Sequence, residues 1–414
     1  MDYRKTIRLY YDYVIPCYTR TPLVLERGKG TRVWDAQGDE YLDFFPGWAV
    51  SGIGHCHRRV VEAIKRQAEQ LIHVSNNYFH ELQGLLAQEI IRHAFPGKVF
   101  FCNSGAEANE AAFKLVRKLG NPSRYEIITM DRSFHGRTLA AVSATGQTKY
   151  QEGFEPLVPG FKSVAWNDLE ALERAITPQT IAIVLEPIQG EGGVRVADDR
   201  YLSAVRRLCS DRKIYLVFDE VQTGMGRTGR MFCYKNYGLE PDIMTLAKSL
   251  GGGFPIGAMV AKREIADALG PGTHAATFGG SPLACAAALA TFEAIEKEKL
   301  IGNAVIVGSF LFKKLNELKK KHPMIREVRG MGLMAGVELS IDGRGIYEDC
   351  LKERLLINCT QGHVLRLMPP LVVKEKEVSR AIQVLDEVMI AVEEKSLTPP
   401  PVSSVIGGPI ASQS

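Results

Sequence analysis

A lysine at the end of an apolar run is the first residue whose type and position could do chemistry. Lys248 follows such a run and stands shortly before the glycines 251–253. Burial lowers the pKa of a lysine and makes it a usable nucleophile and base, while adjacent glycines let a flat ligand approach the main chain. A strand-end lysine that extends into solvent would have the same local sequence. Lys248 does not fit a phosphate-binding loop, because Ala247 stands where that motif needs glycine.

A carboxylate upstream makes the lysine more informative. The apolar run 214–218 ends in Asp219, and a carboxylate at the C-terminal edge of a parallel strand faces the ligand crevice of an α/β sheet. There Asp219 could keep the nitrogen of a pyridine ring protonated, so that the ring accepts electrons from a substrate carbon. An aspartate at this position is also common as a simple turn or helix cap.

A third feature suits an anion. Ser104, Gly105 and Ala106 follow a predicted strand and open a predicted helix, where backbone N–H groups and the helix dipole attract a phosphate. Ser104 and Glu107 also have the spacing of a capping box, which is compatible with a phosphate site.

Composition excludes several classes of partner. The chain has 414 residues, is 45% hydrophobic and 24% charged, and carries a net charge of +4 from 51 basic and 47 acidic residues. These charges are spread along the chain, so we expect no nucleic-acid partner and no membrane surface partner. No run approaches the ~18 apolar residues of a membrane span. Eight scattered cysteines favour a reducing, cytoplasmic compartment.

Two motifs resemble sites of other kinds but lack the required context. The glycines of 224–229 match a dinucleotide-binding fingerprint, yet no helical pattern follows them, so a dehydrogenase is disfavoured. His55, Cys56 and His57 suggest zinc, but adjacent ligands do not close a tetrahedral site and no paired Cys-x-x-Cys follows. We therefore expect no metal.

Short apolar runs alternate with helical patterns through the middle of the chain, which predicts an α/β fold with a mainly parallel sheet. The runs are Val99–Phe101, Ile127–Met130, Ile181–Leu185, Ile214–Phe218, Ile243–Leu246 and Ile256–Val260. Between the first two, apolar residues from Ala108 to Val116 form the stripe of a core-facing helix that Ser104 would cap. From Val378 to Val392, the same spacing predicts a long amphipathic helix in a separate C-terminal lobe.

Taken together, these residues resemble a known family. The chain is similar, from about Tyr18 to Val373, to the class III, fold-type I pyridoxal-phosphate aminotransferases, especially the acetylornithine and ornithine aminotransferases. The motifs that carry the resemblance occur in the family's order: LERGKG at 25–30, GHCH at 54–57, NSGAEANE at 103–110, EPIQGE at 186–191, DEVQTG at 219–224 and TFGG at 277–280.

The resemblance implies a division of the chain. We expect an N-terminal segment of a small α+β domain at 1–55, a large pyridoxal-phosphate-binding domain at 56–300 and the rest of the small domain at 301–396. The residues 397–414, rich in proline and small side chains, are expected to form a flexible tail.

The resemblance also implies roles toward the cofactor. Lys248 would carry pyridoxal 5'-phosphate as a Schiff base, Asp219 would pair with the pyridine nitrogen, and Gln222 would approach the ring hydroxyl. The remaining cofactor residues would enclose the ring or hold the phosphate. They are Phe134 and Val221 for the ring, Ser104, Gly105 and Ala106 for the phosphate, and Thr277 for the phosphate of the neighbouring subunit. The expected active unit is thus a homodimer.

Further residues of the resemblance concern substrates. Arg366 would bind the α-carboxylate of glutamate and Arg137 a second carboxylate, since arginine pairs with carboxylates in a planar, bidentate manner. Glu191 would pair with Arg366 when a diamine donor binds. Tyr18 would lie near the α-amino end of an ornithine-like donor, and Trp48 departs from the tyrosine or small aliphatic residue expected at its position.

The expected reaction moves the distal amino group of acetylornithine, or a similar ornithine derivative, to 2-oxoglutarate, giving a semialdehyde and glutamate. An ornithine or 4-aminobutyrate aminotransferase stays open as an alternative, as does a pyridoxal-phosphate aminomutase, which would need no keto-acid acceptor.

Overall fold

The computed structural model describes residues 3–397. Its strands are β1 (Leu25–Lys29), β2 (Arg32–Asp35), β3 (Glu40–Asp43), β4 (Gly97–Cys102), β5 (Glu126–Met130), β6 (Phe161–Val164), β7 (Thr180–Leu185), β8 (Ile188–Gln189), β9 (Arg195–Val196), β10 (Tyr215–Asp219), β11 (Ile243–Leu246), β12 (Gly257–Lys262), β13 (Ile325–Met331), β14 (Met334–Leu339), β15 (Leu355–Leu356), β16 (Asn358–Thr360) and β17 (Val364–Leu367). Its α-helices are α1 (Tyr3–Tyr13), α2 (Arg58–Ala68), α3 (Glu81–His93), α4 (Gly105–Gly120), α5 (Leu139–Ala144), α6 (Leu169–Ala175), α7 (Asp199–Arg212), α8 (Arg263–Ala266), α9 (Pro282–Lys297), α10 (Leu300–Lys321), α11 (Arg344–Lys352) and α12 (Glu375–Leu397).

A seven-stranded sheet forms the centre, in the order β4-β12-β11-β10-β7-β5-β6. All six predicted runs lie in it, and every neighbouring pair is parallel except the two that β12 makes with β11 and β4. The prediction of a mainly parallel sheet is confirmed. The edge strand β6 was not predicted, because its four residues are only partly buried and show no apolar run.

The predicted helix after β4 is α4, which packs against β11 and β12. Its predicted apolar stripe is fully buried. Ser104 caps it, since the Ser104 hydroxyl accepts a hydrogen bond from the backbone N–H of Glu107 at 3.2 Å. The Glu107 carboxylate in turn accepts from the backbone N–H of Asn103 at 2.9 Å. These reciprocal bonds fix the turn that joins β4 to α4.

Two smaller four-stranded sheets lie outside the central one. In the first, β15 joins β1, β2 and β3, so strands from both ends of the chain form one sheet. The second has the order β13-β14-β17-β16 and is antiparallel throughout. The predicted C-terminal helix is α12, which packs on α10 and α11. The predicted tail, 397–414, lies almost entirely outside the described residues, and no helix within residues 3–397 is long and apolar enough to cross a membrane.

Truncating the buried stripe of α4 is expected to destabilise the fold. Leu115 is completely buried, so Leu115→Ala should lower the free energy of unfolding by about 2–5 kcal/mol through lost burial and a residual cavity. Lys118→Ala, on the exposed face of the same helix, should change it by less than about 0.5 kcal/mol. Urea unfolding followed by circular dichroism measures both, and equal losses would contradict the packing of α4.

Candidate active site

A cavity of about 440 Å³ opens where β4, β10 and β11 end. These strands run in the same direction, so their carboxyl ends meet at one edge of the sheet. Ten of the fourteen predicted site residues line the cavity: Ser104, Gly105, Ala106, Phe134, Arg137, Glu191, Asp219, Val221, Gln222 and Lys248.

Lys248 lies in the cavity directly after β11. Desolvation lowers the pKa of its amine, although the carboxylates of Glu191, Asp219 and Glu186 oppose that shift. Its φ of 46° is in the left-handed region, which costs a non-glycine residue about 1–3 kcal/mol and recurs at functional sites. The chain therefore stores strain at the lysine in the cavity.

Asp219 is a buried carboxylate held directly by side chains from two other segments. Its Oδ2 accepts hydrogen bonds from Asn109 Nδ2 and His135 Nδ1, both at 2.8 Å. The Thr245 hydroxyl donates to Asn109 Oδ1 at 2.8 Å and so fixes which side of that amide faces Asp219. Burial opposes protonation of His135, but the bond to Asp219 and the charges of Asp219 and Glu186 raise the pKa of the imidazole overall. The site thus presents an oriented negative charge.

Glu186 joins two segments of the cavity wall. Its carboxylate accepts hydrogen bonds from the backbone N–H groups of Phe134 and Gly190, each at 3.0 Å. Burial raises the pKa of Glu186 to about 7. By these two bonds, the segment that carries Phe134 is tied to the loop that carries Glu191.

Glycines let the turn at 104–106 close against its neighbours. A Cβ on Gly105 would lie 2.8 Å from Val221 Cγ1, and a Cβ on Gly257 would lie 2.4 Å from the carbonyl oxygen of Ser104. Both distances are shorter than real Cβ contacts. The turn is therefore packed tightly between β12 and Val221, which lies two residues after the end of β10.

Arg366 lies behind Glu191, fully buried on β17. Its Nη1 donates to Glu191 Oε1 and its Nε to Asn358 Oδ1, both at 2.8 Å. Its guanidinium lies 4.7 Å from the ring centroid of Phe45 and 5.6 Å from that of Trp48. Burial opposes ionisation of Glu191, but the charge and hydrogen bond of Arg366 outweigh it and hold the pKa of Glu191 below its usual value.

Arg137 is the other predicted carboxylate-binding arginine. It is exposed at the cavity, with its guanidinium 4.0 Å from the ring centroid of Tyr150 and 5.6 Å from that of Phe134. In the described part of the chain, no carboxylate lies within salt-bridge distance of it. Its charge is therefore available to a ligand.

Two predicted residues lie away from this cavity. Tyr18 is 70% exposed and contacts Arg20, whose guanidinium is 5.5 Å from the tyrosine ring. Thr277 lines a second cavity of about 550 Å³. Within one chain, the structure does not bring either residue to Lys248.

Sequence reasoning missed five side chains that shape the site: Asn109, His135, Tyr150, Glu186 and Asn358. Asn109 and Glu186 stood inside the motifs at 103–110 and 186–191, and His135 is next to the predicted Phe134. The contacts of Asn358 depend on strand pairing, which its local sequence does not reveal.

The motifs set aside in the sequence take other roles. The residues 224–229 form turns followed by a short 3₁₀ helix at Cys233–Tyr237, so no α-helix follows the glycines. His55 bonds Asp43 at 2.8 Å, whereas His57 bonds Glu298.

One group within the described residues has the spacing of metal ligands: Glu89, His93 and Glu296. Arg92 Nη2 lies 2.5 Å from both of its carboxylates, so an arginine already pairs with both acidic members of this group.

Comparison with known proteins decides the family. The family model described as aminotransferase class-III matches residues 13–389. The chain belongs to the class-III aminotransferases. It is 52% identical to an acetylornithine aminotransferase of Methanocaldococcus jannaschii, covering 95% of this chain and 100% of the relative. It is 51% identical to an acetylornithine aminotransferase of Caldanaerobacter subterraneus subsp. tengcongensis, covering 91% and 97%.

A solved structure agrees with the fold. The ornithine aminotransferase from Toxoplasma gondii ME49 is 36% identical and superposes with a TM-score of 0.92, covering 95% of this chain and 96% of the other. The expected fold-type I architecture is thereby confirmed for this aminotransferase.

Class-III aminotransferases depend on pyridoxal phosphate, and the cavity of this aminotransferase fits that cofactor. Gln222 Oε1 is buried without a hydrogen-bond partner among the described residues, and such an acceptor suits a ring hydroxyl. The oriented carboxylate of Asp219 suits a protonated ring nitrogen, and the turn at 104–106 suits a phosphate. Lys248 has an amine in the same cavity, which would suit the cofactor's aldehyde. Donor, acceptor and charge thus match each polar group of the cofactor.

Disrupting the support of Asp219 is expected to weaken cofactor binding. Asn109→Leu removes a buried hydrogen bond to a carboxylate, a loss of about 1.5–3 kcal/mol, so the dissociation constant for pyridoxal phosphate should rise roughly 10- to 100-fold. Asn303→Leu is the matched control, since Asn303 donates to two backbone carbonyls away from the cavity. Absorbance titration of apoenzyme measures both. Unchanged affinity in Asn109→Leu would refute the positioning of Asp219.

Proposed function

We propose that this aminotransferase moves the distal amino group of N-acetylornithine to 2-oxoglutarate, giving a semialdehyde and glutamate. Relatives named acetylornithine aminotransferase, at 52% and 51% identity, support this donor. The observation that carries the proposal is the unequal state of two arginines: Arg366 is neutralised by Glu191, whereas Arg137 is open to the cavity.

This arrangement suits a donor with a single carboxylate and a distal amine. The free carboxylate of N-acetylornithine would pair with Arg137, and its acylated α-amine is uncharged. The distal amine would then point toward Lys248. The closed pair of Arg366 and Glu191 offers no net charge to this end of the donor, so a cationic amine meets no competing cation there.

The acceptor, unlike the donor, needs both arginines to be free. 2-Oxoglutarate carries two carboxylates, so it needs two arginines. Arg137 would take one carboxylate, and Arg366 would take the other once Glu191 releases it. One cavity can therefore bind a monocarboxylate amine and a dicarboxylate in turn, with Glu191 as the exchangeable partner.

The remaining residues would hold the cofactor and move a proton. Bound pyridoxal phosphate supplies an electron sink that lets the substrate carbon lose its proton. Lys248 Nζ would hold the cofactor and, once displaced by the substrate amine, take the proton from the substrate carbon. Asp219 would keep the ring nitrogen protonated, and Gln222 would accept from the ring hydroxyl. Phe134 and Val221 would enclose the ring, while the backbone N–H groups of Ser104, Gly105 and Ala106 would bind the phosphate.

Tyr18 and Trp48 complete the proposed substrate residues. The half-exposed Trp48 packs edge-on against Phe45, with ring centroids 5.5 Å apart, so it would shape the wall beside Arg366. Tyr18 is exposed on one chain and would act on a donor only if that segment closes over a site.

A donor panel tests the function. With 2-oxoglutarate as acceptor, N-acetylornithine should have a kcat/KM at least about 10-fold above those of ornithine and 4-aminobutyrate. Lys248→Ala should lose roughly 10³-fold or more of every transamination, whereas Lys262→Ala, whose amine pairs with Asp242, should retain activity. If the enzyme prefers ornithine, ornithine and not N-acetylornithine is its donor. Turnover without any keto acid would favour an aminomutase.

We infer further that the active unit is a homodimer. Thr277 is exposed and lines the second cavity, and its neighbour Phe278 is 62% exposed. Phe79 is fully exposed and Tyr78 largely so. Aromatic side chains exposed together are typical of an interface, which supports Thr277 reaching the phosphate of a partner subunit. A cytoplasmic location belongs to the same proposal, supported by eight cysteines that are all free.

Sedimentation tests the dimer. The purified protein should sediment at about twice the chain mass of 45.7 kDa. Phe79→Asp should shift it toward monomer, because a buried unpaired charge opposes association, while Ile306→Asp, on the exposed side of α10, should not. Thr277→Val should keep the dimer and weaken cofactor binding by about 10-fold. An active wild-type monomer would overturn the role of Thr277.

A further inference from the structure

The three nitrogens of the Arg366 guanidinium have different surroundings. Nη1 is bound by Glu191 and Nε by Asn358. Nη2 is buried and has no hydrogen-bond partner within the described residues. A buried guanidinium with one unsatisfied nitrogen is costly unless a ligand completes it. Nη2 is therefore a buried donor that the carboxylate of a ligand would complete.

The strand pairing explains why Asn358 holds Nε. Asn358 on β16 is the direct partner of Arg366 on β17, so their side chains lie on the same face of the sheet. The partner on the other side is Gly336 of β14, where a Cβ would lie 2.9 Å from Val194 Cβ. The missing side chain at Gly336 makes room for the loop that carries Glu191. The two hydrogen-bond partners of Arg366 thus differ in position: Glu191 lies on a loop, and Asn358 lies on a strand that pairs with β17.

We propose that Asn358 is a positioning residue, the fixed anchor that keeps the Arg366 guanidinium aimed at the substrate when Glu191 leaves it. This proposal rests on the proposed exchange of Glu191 for a substrate carboxylate. Asn358 is neutral and cannot compete as an anion, and its backbone is held by the antiparallel sheet. It retains Nε in both states of the site.

The anchor also selects the edge that the acceptor uses. A carboxylate binds arginine in a bidentate manner either at Nε and Nη2 or at Nη1 and Nη2. Because Asn358 occupies Nε, only the second edge is available, and Glu191 holds its Nη1. A dicarboxylate must therefore displace Glu191, whereas a donor that binds through Arg137 leaves the pair intact. Asn358 makes the exchange obligatory.

Half-reaction kinetics of the holoenzyme test this role. Asn358→Ala should raise the KM for 2-oxoglutarate, and for glutamate in the reverse direction, by roughly 10- to 100-fold, the effect of losing one hydrogen bond to a charged group. The half-reaction of the amino donor should change by less than about 3-fold. A defect in folding alone would lower both half-reactions together, so the split between them is the diagnostic readout.

Asn358→Asp separates hydrogen bonding from charge. It keeps an acceptor for Nε but places a second carboxylate on a strand that is paired with β17. Its KM for 2-oxoglutarate should rise at least as much as in Asn358→Ala, while the donor half-reaction is retained. Cys359→Ala, at the next position of β16, controls for general disturbance of the strand and should leave both half-reactions unchanged.

The outcomes separate the anchor from the proposed function. If wild-type enzyme shows no half-reaction with 2-oxoglutarate or glutamate, the proposed function fails. If wild-type enzyme transaminates but Asn358→Ala leaves the 2-oxoglutarate KM unchanged, or lowers both half-reactions equally, the anchor fails alone. Every donor in the panel is assayed with the same acceptor, 2-oxoglutarate, which becomes glutamate. A different physiological donor therefore does not change the outcome for Asn358.

Discussion

The burial of one carboxylate, Asp219, is the constraint on which the rest of the site depends. An ion removed from water costs several kcal/mol unless charged or polar partners compensate it. Here two partners come from other segments, Asn109 from α4 and His135 from the segment after β5, and the third is the backbone N–H of Val221, two residues further along the same segment. The carboxylate is compensated only when both other segments are in place. Assembly of the cavity and formation of this hydrogen-bond network are therefore one event.

Several residues near the site have strained backbone conformations that contacts with their surroundings stabilise. Gly47, Trp48 and Ala49 have consecutive positive φ angles, as does Lys248, and such residues persist only where the surroundings over-determine them. The hydroxyl of Ser249 donates to the carbonyl of Ala49 at 2.7 Å. Ser249, the residue after Lys248, thus holds the segment that carries Trp48.

How much of this could be predicted follows from the range of each interaction. Apolar runs and the cap at Ser104 are local, and they predicted six strands of the central sheet and the start of α4. The direction of β12 was not predictable, because an apolar run reads alike in parallel and antiparallel strands. Nor could any run reveal that β15 joins β1, β2 and β3.

The site divides in the same way. Lys248, Asp219 and the turn at 104–106 come at the ends of predicted strands, so their position at the sheet edge followed from the pattern. The other predicted residues that line the cavity were assigned by the family resemblance. Asn358 meets Arg366 only through the register of β16 on β17, which depends on how two distant segments pair. The roles of Thr277 and Tyr18 came from the family resemblance alone, and on one chain both residues lie away from the cavity that holds Lys248.

The electrostatics of Glu191 and Arg366 indicate what can open their pair. Since the guanidinium lowers the pKa of Glu191, the pair is stabilised above the ordinary carboxyl pKa and lost only as pH falls through the lowered value. Protonation therefore does not open it near neutral pH. Removing one partner of a buried pair costs about 3–5 kcal/mol because the other charge is left uncompensated. A second carboxylate avoids that cost by replacing the first. The exchange is then nearly balanced in charge, and what decides it is whether Arg366 keeps its orientation between partners. A neutral, strand-bound acceptor at Nε meets that requirement without adding a third charge.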